Sequence, residues 1–357
     1  MDSLTFSPSI GYPLAYFKIL PNPEIFKFPS FKALPLSPFN DEHVFLNKLY
    51  VNSLDTRVPF TIAIVYFTSV YLCNKYIRQR QLKQYLLKNE SIKDITKINF
   101  KKLPPAPFKF AKTKIFKIFV ILHNIFLCGF SIYSFIGMTK SIYNNSHKII
   151  PNIFELKNLN FSKNELFWQS ICNLENGIWS NKNNLKGLAF YSFWFYISKF
   201  YEILDTIIIL LKGKQSSILQ SYHHSGAMIS MWAGVRFSSP PIWVFVVFNS
   251  FIHTIMYFYF TLSCLHIRVP TLFKKSLTSM QICQFVSGIS LLLSHIFVNY
   301  YDNLTKEFKS CISDGDQALA LWINVIYLTP LTILFGAFYV ESYKNPPKTI
   351  LTPTIKP

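Results

Sequence analysis

Charged side chains are scarce in this sequence. They make up 15% of its 357 residues, fewer than the 17% that are aromatic, and half of the chain is hydrophobic. A soluble domain usually carries about 25% charged residues, so this balance excludes an ordinary soluble protein. The composition indicates a protein that crosses a membrane several times.

Cysteine motifs and a secretory leader are missing as well. The six cysteines include no CxxC spacing, which argues against a zinc ribbon or a thioredoxin-like protein. Residues 1–57 lack the basic start and uninterrupted apolar core of a signal peptide, and prolines interrupt them from Pro8 onward. We expect these residues to form an irregular leader in the lumen or at the membrane interface.

Seven apolar segments follow the leader, each near the ~20 residues that a membrane span requires. They lie at 58–75, 115–138, 187–211, 219–236, 240–264, 277–298 and 317–340. The net charge of +19 is concentrated in the loops between them, as membrane insertion predicts, so we expect no nucleic-acid partner. The pattern predicts an all-α integral membrane protein of about seven transmembrane helices over 58–340, with a short tail at 341–357.

The basic loop between the first two segments sets the orientation of the chain. Its lysines and arginines, from Arg78 to Lys114, predict a cytosolic location because positively charged loops stay inside. The N-terminus is then luminal and the C-terminus cytosolic. Cys172 and Cys311 both fall in luminal loops, where oxidation is possible, and we predict a disulfide between them. The glycosylation sequons on that side begin at Asn144, Asn160 and Asn303.

Polar and ionisable side chains interrupt four of the apolar segments at one depth. With the rise of an α-helix, they fall within roughly 6–18 Å of the predicted cytosolic surface. Such groups are costly in lipid and are therefore candidates for a functional site. A structural role explains some of them, such as an ion pair of Lys199 with Glu202 or interhelical hydrogen bonds from a histidine. Together they form an acid–base set rather than a packing set. They are Lys199, Glu202, Asp205, Thr206, His223, His224, His253, Gln281 and Gln284.

These residues sit in motifs that resemble those of the ELO family of very-long-chain fatty acid elongases, the membrane 3-ketoacyl-CoA synthases. The matching motifs are Lys199-x-x-Glu202-x-x-Asp205-Thr206, Asn249-Ser250-x-x-His253-x-x-Met256-Tyr257-x-Tyr259 and Thr278-x-x-Gln281-x-x-Gln284-Phe285. The histidine box of the family, HxxHH, reads Gln220-Ser221-Tyr222-His223-His224 here. A glutamine can orient a neighbour but cannot carry a proton near neutral pH. Either the first box position is dispensable for the chemistry, which we favour, or the enzyme is impaired.

The resemblance implies a condensation of a long-chain acyl-CoA with malonyl-CoA, which yields a 3-ketoacyl-CoA, carbon dioxide and CoA. It implies an endoplasmic reticulum membrane location, an acyl tunnel enclosed by the spans, and no cofactor. The implied partners are the two CoA substrates, membrane lipid, other enzymes of the elongation cycle and, for a homodimer, a second copy of the chain. Acyl preference is not readable from the sequence.

The resemblance also implies roles for the motif residues. His223 and His253 are the leading pair for a nucleophile that forms an acyl-imidazole, or for an acid–base group, and His224 is third. Asp205 and Glu202 would orient an imidazole. The expected hydrogen-bond donors to substrate oxygens are Asn249, Tyr257, Gln281 and Gln284. The expected partners of the CoA phosphates are Lys199, Lys212, Lys214 and Arg268.

Two other classes of protein fit part of the pattern. A membrane di-iron desaturase needs three histidine clusters, whereas the histidines outside 223–224 are single residues, so we expect no metal. A seven-span transporter or receptor without enzymatic activity would explain the spans and the polar layer, but not the four motifs in the order of the family.

Overall fold

The structure is a computed structural model that describes residues 17–89, 103–148, 163–179, 187–302, 305 and 307–344. Several predictions fall outside the described residues. They concern the first 16 residues of the leader, part of the basic loop at 90–102, the sequons that begin at Asn160 and Asn303, and the tail beyond Lys344.

The described chain is mostly α-helical. The helices are α1 (Val44–Ser53), α2 (Arg57–Lys88), α3 (Lys114–Lys148), α4 (Lys163–Cys172), α5 (Leu188–Tyr201), α6 (Ile203–Leu211), α7 (Ile218–Arg236), α8 (Ile242–Val244), α9 (Ser250–Cys264), α10 (Thr271–Ser294) and α11 (Gly315–Tyr339). Short 3-10 turns lie at Pro23–Phe26, Phe110–Lys112 and His295–Phe297, and π-helical segments at Phe245–Asn249 and Val340–Lys344. Strands β1 (Asn299–Asp302) and β2 (Glu307–Ser310) form an antiparallel hairpin that pairs Asn299 with Ser310.

Within the described residues, five helical stretches are long and apolar enough to cross a membrane, which confirms the prediction of a helical membrane protein. They are Arg57–Lys88, Lys114–Ser146, Ile242–Cys264, Thr271–Phe297 and Gly315–Lys344. The other two expected segments are helical, but neither forms a single helix that is both long and apolar enough to cross a membrane. One is divided at Glu202 into α5 and α6, of 14 and 9 residues, and the other is α7, which carries the polar histidine box. The count of seven spans stays a prediction.

The helices are arranged so that a closed series of neighbours surrounds an internal space. α3 packs along α9, α9 contacts α10, and α10 packs on α11. The series returns through α7 and α5 to α3, while α2 packs on α6 and α7 from outside it. An aromatic core that includes Phe193, Tyr196 and Trp232 holds α5 and α7 together. This arrangement leaves room for a site between helices that are distant in sequence.

One end of the helix assembly, called the hairpin end here, carries the β1–β2 hairpin and a covalent link. Cys172, the last residue of α4, is disulfide-bonded to Cys311, just after β2, with Cα atoms 4.8 Å apart. The leader covers the same end, because the Asp316 carboxylate at the start of α11 accepts hydrogen bonds from the backbone N–H groups of Phe31 and Lys32, each at 2.9 Å. The hairpin end is therefore closed by several elements.

The opposite end, called the Lys212 end, is built by the turn between α6 and α7. The segment before α3 packs on this turn, with the Ala106 N–H donating to the Gly213 carbonyl at 3.0 Å. Gly213 has φ +67°, and a Cβ there would lie 2.1 Å from the Ala106 carbonyl carbon. Glycine is thus required both by the left-handed backbone and by the close approach of the two segments.

Candidate active site

A cavity of about 540 Å³ lies inside the series of helices and reaches the Lys212 end. Its lining combines apolar side chains with most of the polar residues that the sequence singled out. The polar members include Asn124, Asp205, Lys212, Gln220, His223, His224, Asn249, His253, Tyr257, Lys274, Thr278, Gln281 and Gln284. Residues from α6, α7, α9 and α10 meet around one space, as their common depth in the sequence predicts, and α3 and α11 complete its wall.

A break in the helix places Glu202 beside the histidines. α5 ends at Tyr201 and α6 begins at Ile203, and the Glu202 side chain between them is buried. Lys199 donates from Nζ to Glu202 Oε1 at 2.7 Å and to Asn249 Oδ1 at 3.3 Å. Lys199 and Glu202 therefore form the ion pair that the sequence offered as a structural role for them. It compensates two charges that would be very costly to bury singly.

A π-helical segment sets the position of Asn249. Phe245–Asn249 precedes α9 directly, so the chain takes one wider turn just before the Asn249–His253 motif. Single π-helical turns of this kind are frequent at functional sites. Asn249 lies four residues before His253 and accepts the hydrogen bond from Lys199, which links the motif on α9 to the ion pair on α5.

His223 and His253 face each other across two helices. Their ring centres are 6.3 Å apart, and His253 Nδ1 lies 3.8 Å from Glu202 Oε1. His223 Nδ1 is 2.9 Å from the Tyr327 hydroxyl oxygen on α11. Gly226 makes that contact possible, because a Cβ at this position would lie 2.4 Å from the Tyr327 ring. With Nδ1 of His223 engaged, Nε2 is the nitrogen left for chemistry.

His224 is oriented by the residue that departs from the family's histidine box. Gln220 Nε2 lies 2.8 Å from His224 Nε2. An amide nitrogen can only donate, so His224 Nε2 accepts and the neutral imidazole carries its proton on Nδ1. The glutamine thus supplies the orienting hydrogen bond that the sequence predicted, without being able to carry a proton itself.

Asp205 is held by two donors from other helices, one of which sequence analysis missed. His123 Nε2 on α3 lies 2.8 Å from Asp205 Oδ1, and the Tyr257 hydroxyl on α9 donates to Asp205 Oδ2 at 2.7 Å. Sequence analysis set His123 aside as a single histidine outside the motifs. The signal that could have found it is the polar pair His123-Asn124 in the middle of an apolar span.

The hydrogen bond from Tyr257 to Asp205 argues against the predicted role of Tyr257 as a donor to substrate oxygens. A tyrosine hydroxyl has a single proton to donate, and here that proton is directed to Asp205. Gln284 has an unused acceptor instead, since its buried Oε1 makes no hydrogen bond within the described residues, while its amide nitrogen is the group that can donate. Gln281 Nε2 makes only a weak contact, at 3.8 Å, with the sulfur of Met256.

Two lysines bring positive charge to the cavity at the Lys212 end. Lys212 lines the cavity, as does Lys274 near the start of α10, which sequence analysis did not single out. Lys214 and Arg268 are exposed, and neither is among the described residues that line the cavity. Lys199 is paired with Glu202 in the interior, away from this charge. The phosphate-binding roles expected for Lys199, Lys214 and Arg268 stay predictions.

A second, smaller cavity continues behind the histidines. Its volume is about 20 Å³, and it shares His223, Asn249, Gln284 and Phe285 with the large cavity. The rest of its lining is chiefly apolar and includes Phe195, Ala227, Met231, Leu328 and Leu331. The polar layer therefore separates a wide space open to one end from a narrow apolar space.

Glu202, His223 and His253 also form the kind of group that can hold a cation. Their ligand atoms all lie within 4.8 Å of one another. The Lys199 ammonium group, however, lies 2.7 Å from Glu202 Oε1 and competes with a cation for the charge of that carboxylate. We therefore assign no metal to this group.

Comparison with known proteins places these features in context. The model of the family described as ELO, GNS1/SUR4 family, matches residues 53–350. The chain is 30% identical over 228 residues to "Fatty acid elongase A" of Dictyostelium discoideum, which is 64% of this chain and 72% of that protein. It is 34% identical to "Fatty acid elongase 2" of Trypanosoma brucei brucei over 160 residues, 44% of this chain and 58% of that protein.

A human protein, "Very long chain fatty acid elongase 3", is 30% identical over 160 residues, which is 44% of this chain and 55% of that protein. The chain thus spans little more than half the length of the trypanosome and human proteins that it matches. No solved structure matches the chain.

Proposed function

The chain belongs to the ELO (GNS1/SUR4) family, as its motifs predicted, and on that basis we propose that it is a condensing enzyme of fatty acid elongation. It would join a long-chain acyl-CoA to malonyl-CoA and release a 3-ketoacyl-CoA, carbon dioxide and CoA. The observation that carries the proposal is the meeting of His223 and His253 at one cavity, with ring centres 6.3 Å apart.

In the first half-reaction a histidine is acylated. Nε2 of His223, or a nitrogen of His253, attacks the thioester carbon, a C–N bond forms and the C–S bond breaks. The CoA thiolate leaves and takes up a proton. Asn249 and Gln284 line the cavity beside these histidines and can donate to the thioester oxygen as it gains negative charge.

In the second half-reaction malonyl-CoA loses carbon dioxide, and the electron pair of the broken C–C bond forms an enolate. The enolate carbon attacks the acyl carbon, a new C–C bond forms, the C–N bond to histidine breaks and the imidazole is restored. The second histidine of the pair transfers protons, and the Lys199–Glu202 pair beside it compensates the charge that it gains or loses.

The surroundings of the cavity support positions for the rest of the substrates. Lys212 and Lys274 would bind the CoA phosphates at the Lys212 end. The acyl chain would lie against the apolar lining of the large cavity, with its end directed at the small apolar space behind the histidines, which at about 20 Å³ has room for no more than that end. The Lys212 end would then face the cytosol and the disulfide the lumen of the endoplasmic reticulum, with a luminal N-terminus and a cytosolic C-terminus. No cofactor takes part in this chemistry.

The test is an assay of microsomes with radiolabelled malonyl-CoA and a panel of acyl-CoAs. We expect wild type to place label in an elongated or 3-keto acyl product, and His223→Ala and His253→Ala each to abolish incorporation. His295→Ala is a matched control, because His295 is a fully buried, hydrogen-bonded histidine outside both described cavities.

Activity retained in both alanine variants of the pair would contradict the role of the histidines. Membrane-inserted wild type that incorporates no label with any acyl chain would overturn the condensing function itself. In that case uptake of a labelled solute into vesicles would favour transport.

A further inference from the structure

His123 lies on α3 at the interface between α3 and the α5–α6 break. Its side chain is buried, and its ring is 5.3 Å from that of Tyr201 and 6.2 Å from that of Phe119. Among the described residues, it is not one of those that line either cavity. Its one hydrogen bond to a described residue runs from Nε2 to Asp205 Oδ1 at 2.8 Å.

The direction of this hydrogen bond follows from the chemistry of the two groups. An ionised carboxylate can only accept, so His123 Nε2 must carry the proton that it donates. The other nitrogen, Nδ1, is buried without a partner among the described residues. A second proton on Nδ1 would have no acceptor there, so the structure offers His123 no route for passing protons onward.

Asp205 receives one donor on each of its oxygens. His123 occupies Oδ1 from α3, and the Tyr257 hydroxyl occupies Oδ2 from α9 at 2.7 Å. The Tyr257 ring in turn packs edge-on against His253, with ring centres 5.6 Å apart. A continuous set of contacts therefore runs from His123 through Asp205 and Tyr257 to one histidine of the proposed pair.

We propose that His123 is a positioning residue of the active site. It holds the Asp205 carboxylate in the orientation that binds the Tyr257 hydroxyl, and Tyr257 in that position fixes the His253 ring. Asp205 needs this restraint because its side chain is 15% exposed and lines the cavity, so a freed oxygen would turn toward water or substrate. The inference rests on the proposed condensing function, since its effect is exerted on the reaction.

The experiment compares steady-state kinetics of purified wild type, His123→Leu, His123→Gln, Asp205→Ala and the double variant His123→Leu/Asp205→Ala. Alanine is chosen at position 205 because asparagine would keep an oxygen that can accept from His123. We expect His123→Leu to lower kcat roughly tenfold to a hundredfold, as the loss of a positioning contact does elsewhere. The KM for acyl-CoA should stay within about twofold, because His123 does not touch the substrate. His123→Gln should recover most of kcat, because its amide nitrogen can donate to Asp205.

The double variant separates positioning from general destabilisation. If His123 acts through Asp205, adding His123→Leu to Asp205→Ala should change kcat by less than about twofold. His295→Ala serves again as the control, since it removes a buried histidine elsewhere and should lower the unfolding temperature without changing kcat of the folded enzyme.

Three results would overturn the proposal. They are a kcat of His123→Leu within about twofold of wild type, an undiminished effect of His123→Leu in the Asp205→Ala background, and a His123→Gln variant as slow as His123→Leu although it is folded. If His123→Leu does not fold, His123→Met, which also has no donor, takes its place in the same comparisons. Inactive wild type would instead refute the proposed function, so the two failures are distinguishable.

Discussion

Gln220 stands where the family carries a histidine, and it fixes the tautomer of His224 through the contact between their Nε2 atoms. Replacing it by leucine keeps a side chain of similar size but removes the donor, so His224 loses its orienting partner. We expect Gln220→Leu to lower the elongation rate about tenfold, in keeping with the loss of one hydrogen bond to a buried polar group. Incorporation of labelled malonyl-CoA measures the effect.

Gln220→His is the informative counterpart. A histidine nitrogen can donate to the same atom, so we expect an elongation rate within a few-fold of wild type. A Gln220→Leu enzyme as fast as wild type would show that the contact has no role. A large gain in Gln220→His would show that the natural enzyme is impaired, which is the alternative that the sequence left open.

At the residue scale, helical periodicity and motif spacing predicted which polar residues come together. His223, His253, Asp205 and Gln284 line the same cavity because each lies at a similar depth on its own helix. The contact of His123 with Asp205 was missed because it joins residues 82 positions apart on helices whose mutual rotation no spacing rule determines.

At the scale of single elements, α7 connects the histidines to the narrow apolar cavity. Met231 lies eight residues after His223, about 12 Å along the helix, and forms part of the cavity wall. Met231→Ala would remove that wall, so we expect the acyl-CoA preference to move to longer chains by at least one elongation step. Product chain length, measured by chromatography of labelled acyl products, reports the shift.

Met231→Leu is the control, because it nearly conserves volume and should keep the wild-type preference. The alanine variant should also be less stable by about 2–5 kcal/mol, since Met231 is buried. If Met231→Ala loses stability but keeps the same product lengths, the acyl chain does not enter this cavity.

Long apolar helices were predictable, but their interruptions were not. The break at Glu202 and the wide turn at Phe245–Asn249 lie inside continuous apolar runs, and average hydropathy does not distinguish an i+4 from an i+5 hydrogen-bond pattern. The β1–β2 hairpin was missed for a related reason, because it is short and lies in a loop judged only by its charge. The break and the wide turn are the elements that position Glu202 and Asn249.

At the scale of the whole molecule, the Cys172–Cys311 bond ties the segment before α5 to the segment before α11. The two cysteines are 139 positions apart, so the bond restricts a long loop of the unfolded chain. We expect Cys172→Ser to lower stability by about 2–5 kcal/mol and to speed thermal inactivation. The kcat of the folded enzyme should not change, because the bond lies at the hairpin end.

Non-reducing electrophoresis checks the bond directly. Cys172→Ser and Cys311→Ser should share an altered mobility, and the double variant should be no less stable than either one. Cys73→Ser, which removes an exposed free cysteine, is the control. A Cys172→Ser protein with the mobility and inactivation rate of wild type would contradict the prediction.

The same bond has a consequence for the order of events during synthesis. Chains grow at about 5–20 residues per second, so Cys311 is made roughly 7 to 28 seconds after Cys172. In that interval Cys172 waits as a thiol while α5 to α10 emerge and assemble. The two cysteines made meanwhile, Cys264 at the far end of α9 and Cys283 within α10, are kept away from it by the helices that carry them. The fold itself therefore reserves Cys172 for its late partner.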